Sequence, residues 1–249
     1  MGVAAVVIAT PVWLWQSGRV AQAADQLYAK ALAVSAENGL VVRNVLCEGR
    51  LETSRAAILD ALGARHGQPI LAFDPGDAKE RLESLAWVRA AAVERRLPDT
   101  VLVRLVERRP LALWQREGRL VLVDEQGVVL QSHGGERFAH LPLIVGADAP
   151  RHAPALFAML AKEPALESRV AAAVRVGGRR WNLRLDNGID VRLPEERADA
   201  AWRRLADLER RHGLLGRDVI AVDLRIPDRL VVQMRPAAVE RARDPGRSM

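Results

Sequence analysis

Residues 82–107 read LESLAWVRAAAVERRLPDTVLVRLVE, and this stretch decides the fold. Leu82, Leu85 and Val88 recur every third residue, the buried stripe of an amphipathic helix. Trp87 follows them and is expected on the same helix, packed on a sheet. Ala91 to Arg95 then reads as a strand, Pro98-Asp99 as a turn, and Val101, Val103 and Leu105 alternate along a second strand. Working back, Asp74-Pro75 opens the helix, with Asp as N-cap and Pro at the first helical position. Gln68–Phe73 is a connector. Thr53 is the expected N-cap of an earlier helix that holds Ile58, Leu59 and Leu62 and stops near Gly63 or Gly67. Leu40–Leu46 reads as a strand, broken by Glu48-Gly49-Arg50. The order β-α-α-β-β predicts an α+β sandwich, helices on one face of a small sheet.

Downstream, hydrophobic alternation continues. Leu120–Val123 and Val128–Leu130 flank Asp124-Glu125-Gln126-Gly127 as a hairpin. Leu141–Val145 is a short strand and Ala155–Leu160 a helical segment. Val170–Val176, Trp181–Leu185 and Ile189–Leu193 read as strands, the last two joined by Asp186-Asn187-Gly188. Glu195–Arg211 is a helix whose inner face carries Ala198, Ala201, Trp202, Leu205 and Leu208, with Gly213 just past its end. Val219–Arg225 and Leu230–Arg235 are the final strands. The terminal run Leu230 to Met234 is either an open sheet edge or an internal strand.

Upstream, residues 1–15 carry no charged side chain and end in Trp13 and Trp15, an interfacial pair. Fifteen helical residues span roughly 22 Å, short of the ~30 Å hydrocarbon core. Residues 1–16 are therefore expected to be a transmembrane anchor truncated at its N-terminus. A cleaved signal peptide ending at Ala21-Gln22-Ala23 is the rival, but it lacks a basic leading region. Residues 17–39 read as a helical stalk, with Val20, Leu27, Ala31 and Val34 near one face and Asn38-Gly39 as its stop. The tail 237–249 is polar and basic and is expected to be disordered.

Gly49, the Leu-x-x-Leu-x-Trp-Val of Leu82–Val88 and the Arg-Arg-Leu-Pro-Asp-Thr of Arg95–Thr100 together resemble a POTRA domain. The run Glu107 to Trp114, the Leu-Val-Asp-x-x-Gly of 122–127 and Val222-Asp223-Leu224-Arg225-Ile226-Pro227-Asp228 are similar to segments of the FtsQ/DivIB family of bacterial division proteins. Ile226 stands where that family usually has an aromatic residue. The resemblance covers about residues 40–236 and implies a POTRA domain at 40–110 and a mixed β-rich domain with flanking helices at 111–236. It also implies a divisome scaffold in the cell inner membrane. That scaffold would be single-pass, N-terminus cytoplasmic and bulk periplasmic, linking early and late division proteins at the septum. Its partners would be FtsB- and FtsL-like proteins, with other divisome proteins on the POTRA domain. By the same resemblance the partner surface comprises Arg180, Trp181, Arg225, Ile226, Asp228, Arg229, Leu230, Val231, Val232 and Gln233. A POTRA-bearing secretion or outer-membrane assembly component is the alternative. The residues after the first unit alternate too little to build a transmembrane barrel.

Composition narrows the function. The 249 residues are 49% hydrophobic, enough for packed cores, and the net charge is +6. Residues 40–110 hold twelve Arg/Lys against ten Asp/Glu, which is no nucleic-acid footprint. Cys47 is the single cysteine, so neither an internal disulfide nor a cysteine zinc site can form. No Gly-x-Ser-x-Gly elbow is present, no serine precedes a lysine by three, and the five histidines show no metal spacing. Gly177-Gly178 precedes a strand rather than a helix, so it is no phosphate cradle. No enzyme, cofactor or small-molecule substrate is expected.

Overall fold

The computed structural model describes residues 19–130, 135–226 and 229–235. The segments read as anchor (1–16) and tail (237–249) lie outside them. Helix α1 (Arg19–Glu37) opens the described chain. It stops where its sequence says: the Asn38 amide and side chain both donate to the Val34 carbonyl, and Gly39 adopts φ +85°. Its expected apolar face is not covered within the described chain, since Leu27 is 69% exposed and Val34 56%. Ser35 is the buried residue instead, its hydroxyl donating to the Leu32 carbonyl at 2.7 Å. No helix among the described residues is long and apolar enough to cross a membrane.

The chain divides into two compact units between Arg108 and Arg109. The first contains β1 (Asn44–Glu48), α2 (Arg55–Leu62), a 3-10 turn (Ile70–Ala72), α3 (Pro75–Glu83), β2 (Val88–Arg96) and β3 (Thr100–Glu107). The sheet order is β1-β3-β2, with β1 parallel to β3 and β2 antiparallel to it. Ile58, Leu62, Ala78 and Leu82 from the helices meet Val88, Ala91, Val101, Val103 and Leu105 from the sheet. Asp74 caps α3 by accepting the amides of Gly76 and Asp77, and Gly63 closes α2 in the left-handed conformation.

Three local readings shift. Leu40 to Val42 do not belong to β1, because they pair with the segment at 67–70: Val42 donates to the Gln68 carbonyl and Ile70 to that of Leu40. The N-cap of α2 is Ser54, whose hydroxyl accepts the Ala57 amide, and not Thr53. Trp87 is not on α3, which ends at Glu83. It sits half-buried in the turn before β2, where its carbonyl accepts the Arg108 amide at 2.8 Å.

Two residues hold the loop after β1. Gly49 has φ +79°, and a Cβ there would overlap the Leu105 carbonyl oxygen. Glu107, at the end of β3, accepts the amides of Glu52 at 2.6 Å and Thr53 at 2.9 Å. Burial works against its charge, but the donors of the 51–53 segment prevail and hold its carboxyl below the ordinary range.

The second unit contains β4 (Pro110–Arg116), β5 (Arg119–Asp124), β6 (Val129–Leu130), β7 (Leu143–Val145), α4 (Ala149–Leu160), α5 (Pro164–Glu167), β8 (Val170–Val176), β9 (Arg180–Leu185), β10 (Asp190–Arg192), α6 (Ala198–His212), β11 (Val219–Asp223) and β12 (Val231–Met234). One nine-stranded sheet runs in the order β12-β11-β10-β9-β8-β7-β4-β5-β6. Pro110, read above as the last residue of the first unit, is the first residue of β4, an interior strand that the sequence reading missed. Helix α4 starts at Ala149, six residues before the segment read at Ala155, because it accommodates Pro154. That proline has no N–H to give the Pro150 carbonyl. Gly127 packs against this carbonyl so closely that a Cβ would lie 2.6 Å away.

The core lies between α4, α6 and one sheet face. Trp202 of α6 is fully buried, and its Nε1 donates to the Leu160 carbonyl at the end of α4 at 3.2 Å. Leu183, Val191 and Val222 from β9, β10 and β11 line the same cluster. Asn187-Gly188 forms the expected turn, Gly188 at φ +82°. Arg169 then ties the turn's Asp186 (3.4 Å) to Glu209 of α6 (3.1 Å).

Gly49→Ala should cost about 2–4 kcal/mol, since it adds overlap to an unfavourable φ, as read by urea unfolding of the first unit's transition. Glu107→Gln should cost about 1–2 kcal/mol near neutral pH, the worth of two charge-assisted bonds at a partly exposed site. Because the folded carboxyl has the lower pKa, its contribution is full above about pH 4.5 and fades as pH falls through the folded value. The stability curves of the wild type and the Glu107→Gln variant should therefore converge in acid; a difference that persists unchanged at about pH 2, below the usual carboxylate range, would refute this role for the charge.

Candidate partner-binding surface at the sheet edge

Strand β11 runs parallel to β10, a pairing that needs a crossover, and α6 supplies it. The chain then turns back and adds β12 antiparallel to β11, so β12 is the outermost strand. Of the two readings left open for the terminal run, the edge is the one observed. Among the described residues nothing pairs with the outer side of β12. Val231 is 52% exposed and Gln233 is exposed, while Val232 and Leu230 turn inward and pack on the core.

The register aligns one row across four strands: Asn182 of β9, Arg192 of β10, Asp223 of β11 and Val231 of β12. This row lies on the face away from α4 and α6. Asp223 is its electrostatic centre. Arg225 grips it through Nε and a terminal nitrogen at 2.6–3.0 Å, and Arg192 stands 3.6 Å away. The Arg225 hydrogen bonds hold the Asp223 carboxyl below the ordinary range. Arg225 is thus engaged by its own chain.

The turn between the strands carries Ile226, 52% exposed, and Arg229, whose amide donates to the Ile226 carbonyl at 3.3 Å. Asp228 lies outside the described residues. Ile226 and Leu224 form one wall of a cleft of about 180 Å³. Pro194, Ala200 and Ala201 form the other, with Arg197, Arg204 and Arg229 around it. The sequence reading missed the α6 side of this cleft. Arg197, Ala201 and Arg204 do share a helical face, but Arg197 takes a left-handed N-cap conformation (φ 59°) and α6 starts at Ala198, not Glu195.

Arg180 and Trp181 begin β9, at the end of the sheet that also holds the β11–β12 turn. They do not stand beside β12, because β10 and β11 intervene. Trp181 is a correction: it is 8% exposed, its ring belongs to the core, and Arg175 stacks on it at 5.3 Å. Its outward neighbour Arg180 is half-buried, makes no ion pair among the described residues, and has its Nε shielded without an acceptor. No trio of His, Cys, Asp or Glu among the described residues could hold a metal ion.

Residues 40–108 match the family model for the POTRA domain, FtsQ-type, and residues 112–225 that for the cell division protein FtsQ/DivIB, C-terminal. The cell division protein FtsQ of Agrobacterium fabrum is 41% identical over 203 residues, 82% of this chain and 64% of that protein. FtsQ of Bradyrhizobium diazoefficiens is 40% identical over 211 residues, 84% of this chain and 61% of that protein. FtsQ of Rhizobium radiobacter is 41% identical over 191 residues, 77% of this chain and 91% of that protein. The chain spans less than two thirds of the first two relatives. The family is non-enzymatic. With both units matched in order, and relatives near 40% identity over most of its length, the chain belongs to the FtsQ/DivIB family of cell-division proteins.

Proposed function

We infer that the chain is a divisome scaffold that joins early and late division proteins at the septum through protein–protein contacts outside the cytoplasm. Residues 1–16 would anchor it in the inner membrane, N-terminus inside, and 17–39 would be the stalk. The POTRA domain (40–110) would meet upstream division proteins. The β domain (111–236) would take an extended segment of the FtsB–FtsL-like pair at β12, leaving 237–249 as a tail. The observation that carries this reading is the open outer edge of β12. A strand added there gains main-chain hydrogen bonds, and exposed Val231 and Gln233 alternate with inward residues to give it specificity. Arg180 supports it as a guanidinium that pairs with no carboxylate among the described residues, at the same end of the sheet and able to take a partner's acid in a forked pair. A secretion or outer-membrane assembly role is disfavoured, because the second unit matches the division family.

Met234→Pro removes an outward-facing donor of the β12 edge, because the Arg235 amide donates inward to the Asp218 carbonyl and the alternation turns the Met234 N–H away from β11, and Arg180→Glu reverses a half-buried charge outside the core cluster. Each should weaken binding of the purified FtsB–FtsL-like pair about tenfold or more, measured by calorimetry, at unchanged melting temperature. Two folded variants that bind with wild-type affinity would move the surface elsewhere.

A reporter active only in the periplasm, fused after Arg235, tests the topology. Activity is expected, and a reporter silent there but active in the cytoplasm would overturn the inner-membrane assignment.

A further inference from the structure

The first unit has its own open edge. Strand β1 pairs with β3 alone, and the 67–70 segment covers only the residues before it. Asn44–Glu48 therefore leaves about 16 Å of ladder unpaired among the described residues. Beside this edge runs a groove of about 410 Å³ between β1 and α2. Its floor is apolar: Val45 from the strand, Ile58 and Leu59 from the helix, with Leu59 39% exposed. Arg43, Arg50, Arg55 and His66 line it, and no carboxylate does.

The three arginines enter no ion pair with a described residue. On the opposite face of this sheet Arg104 is matched by acid, between Glu94 (2.7 Å) and Glu48 (3.3 Å). Arg43 and Arg55 are exposed and enter no ion pair with a described residue, and Arg50 reaches only the Thr53 carbonyl at 3.3 Å. Two acids act on Cys47 at this edge, and both are engaged: Glu48 with Arg104 at 3.3 Å, and Glu107 with the amides of Glu52 and Thr53. An open strand edge, an apolar floor and an unbalanced basic rim specify one kind of occupant. We propose that the groove between β1 and α2 is a second docking site, which takes an extended protein segment with alternating acidic and apolar residues as a strand added to β1. The apolar side chains would face Leu59 and Ile58, and the carboxylates would meet Arg43, Arg50 and Arg55. This site is separate from the β12 edge and does not rest on it. In this proposal the segment belongs to a partner protein.

Cys47 makes the site testable, since it lines the groove, is exposed and is the chain's single thiol. The full chain in nanodiscs is titrated with a blocked, dye-labelled peptide of alternating Glu and Val. The controls are the same peptide with Lys for Glu and one with alternate backbone amides methylated. The Glu-Val peptide should bind, slow maleimide alkylation of Cys47, and weaken as ionic strength rises from about 0.05 to about 0.5 M. Both control peptides should bind about tenfold more weakly, and Arg43→Glu or Arg55→Glu, exposed and fold-neutral, should cost about fivefold or more. The proposal is overturned if the Glu-Val peptide does not bind, binds without protecting Cys47, or is matched by either control.

Discussion

The burial of Trp202 underlies the architecture of the second unit. Two parallel neighbours, β10 and β11, cannot be joined by a tight turn, so a crossover must pack on the sheet. Helix α6 does this because Trp202, Leu205 and Ala206 are buried, and because the indole N–H reaches the carbonyl that closes α4. Without that seat β11 has no fixed position, β12 has nothing to pair with, and the edge at Val231–Met234 disappears. A large aromatic with a satisfied polar atom both fills volume and fixes the angle of two helices. The existence of the β12 edge is thus tied to packing on the helix-covered face of the sheet.

Much of this was legible because it is local chemistry. Asp74-Pro75, Gly63, Asn38-Gly39 and Asn187-Gly188 act within a few residues of themselves, and each does what its type dictates. The β-α-α-β-β order followed from periodicity. What escaped reading depends on distant partners. Strand β4 is interior only because β5 and β7 flank it, and nothing in Pro110–Arg116 announces β7. The start of α4 was hidden by Pro154, whose missing hydrogen bond is tolerated where Gly127 packs on Pro150. Trp181 was placed at the partner surface by the family resemblance, but its position in the alternation of β9 turns the ring inward. The terminal strand's sequence could not say whether it was an edge; sheet order decided that.

Arginine dominates the cations, and the structure sorts it into two populations. Some guanidinium groups are held by acids of the same sheet face, as in Arg184 with Asp190 (2.8 Å) and Arg225 with Asp223. Such exposed pairs add little stability but orient side chains and mask charge. Others, such as Arg180, Arg43 and Arg55, have no acid among the described residues. The formal surplus of +6 is therefore not spread evenly, and part of it stands beside open strands, where it favours acidic partners over basic ones.

The two rims of the nine-stranded sheet are unequal. At one end β12 offers four residues of backbone; at the other, the described part of β6 offers two, Val129 and Leu130. A sheet with two good rims could stack copy upon copy into a ribbon. Among the described residues β12 is the longer rim, so a second copy added to this sheet would find its fuller ladder there and would compete directly with any partner.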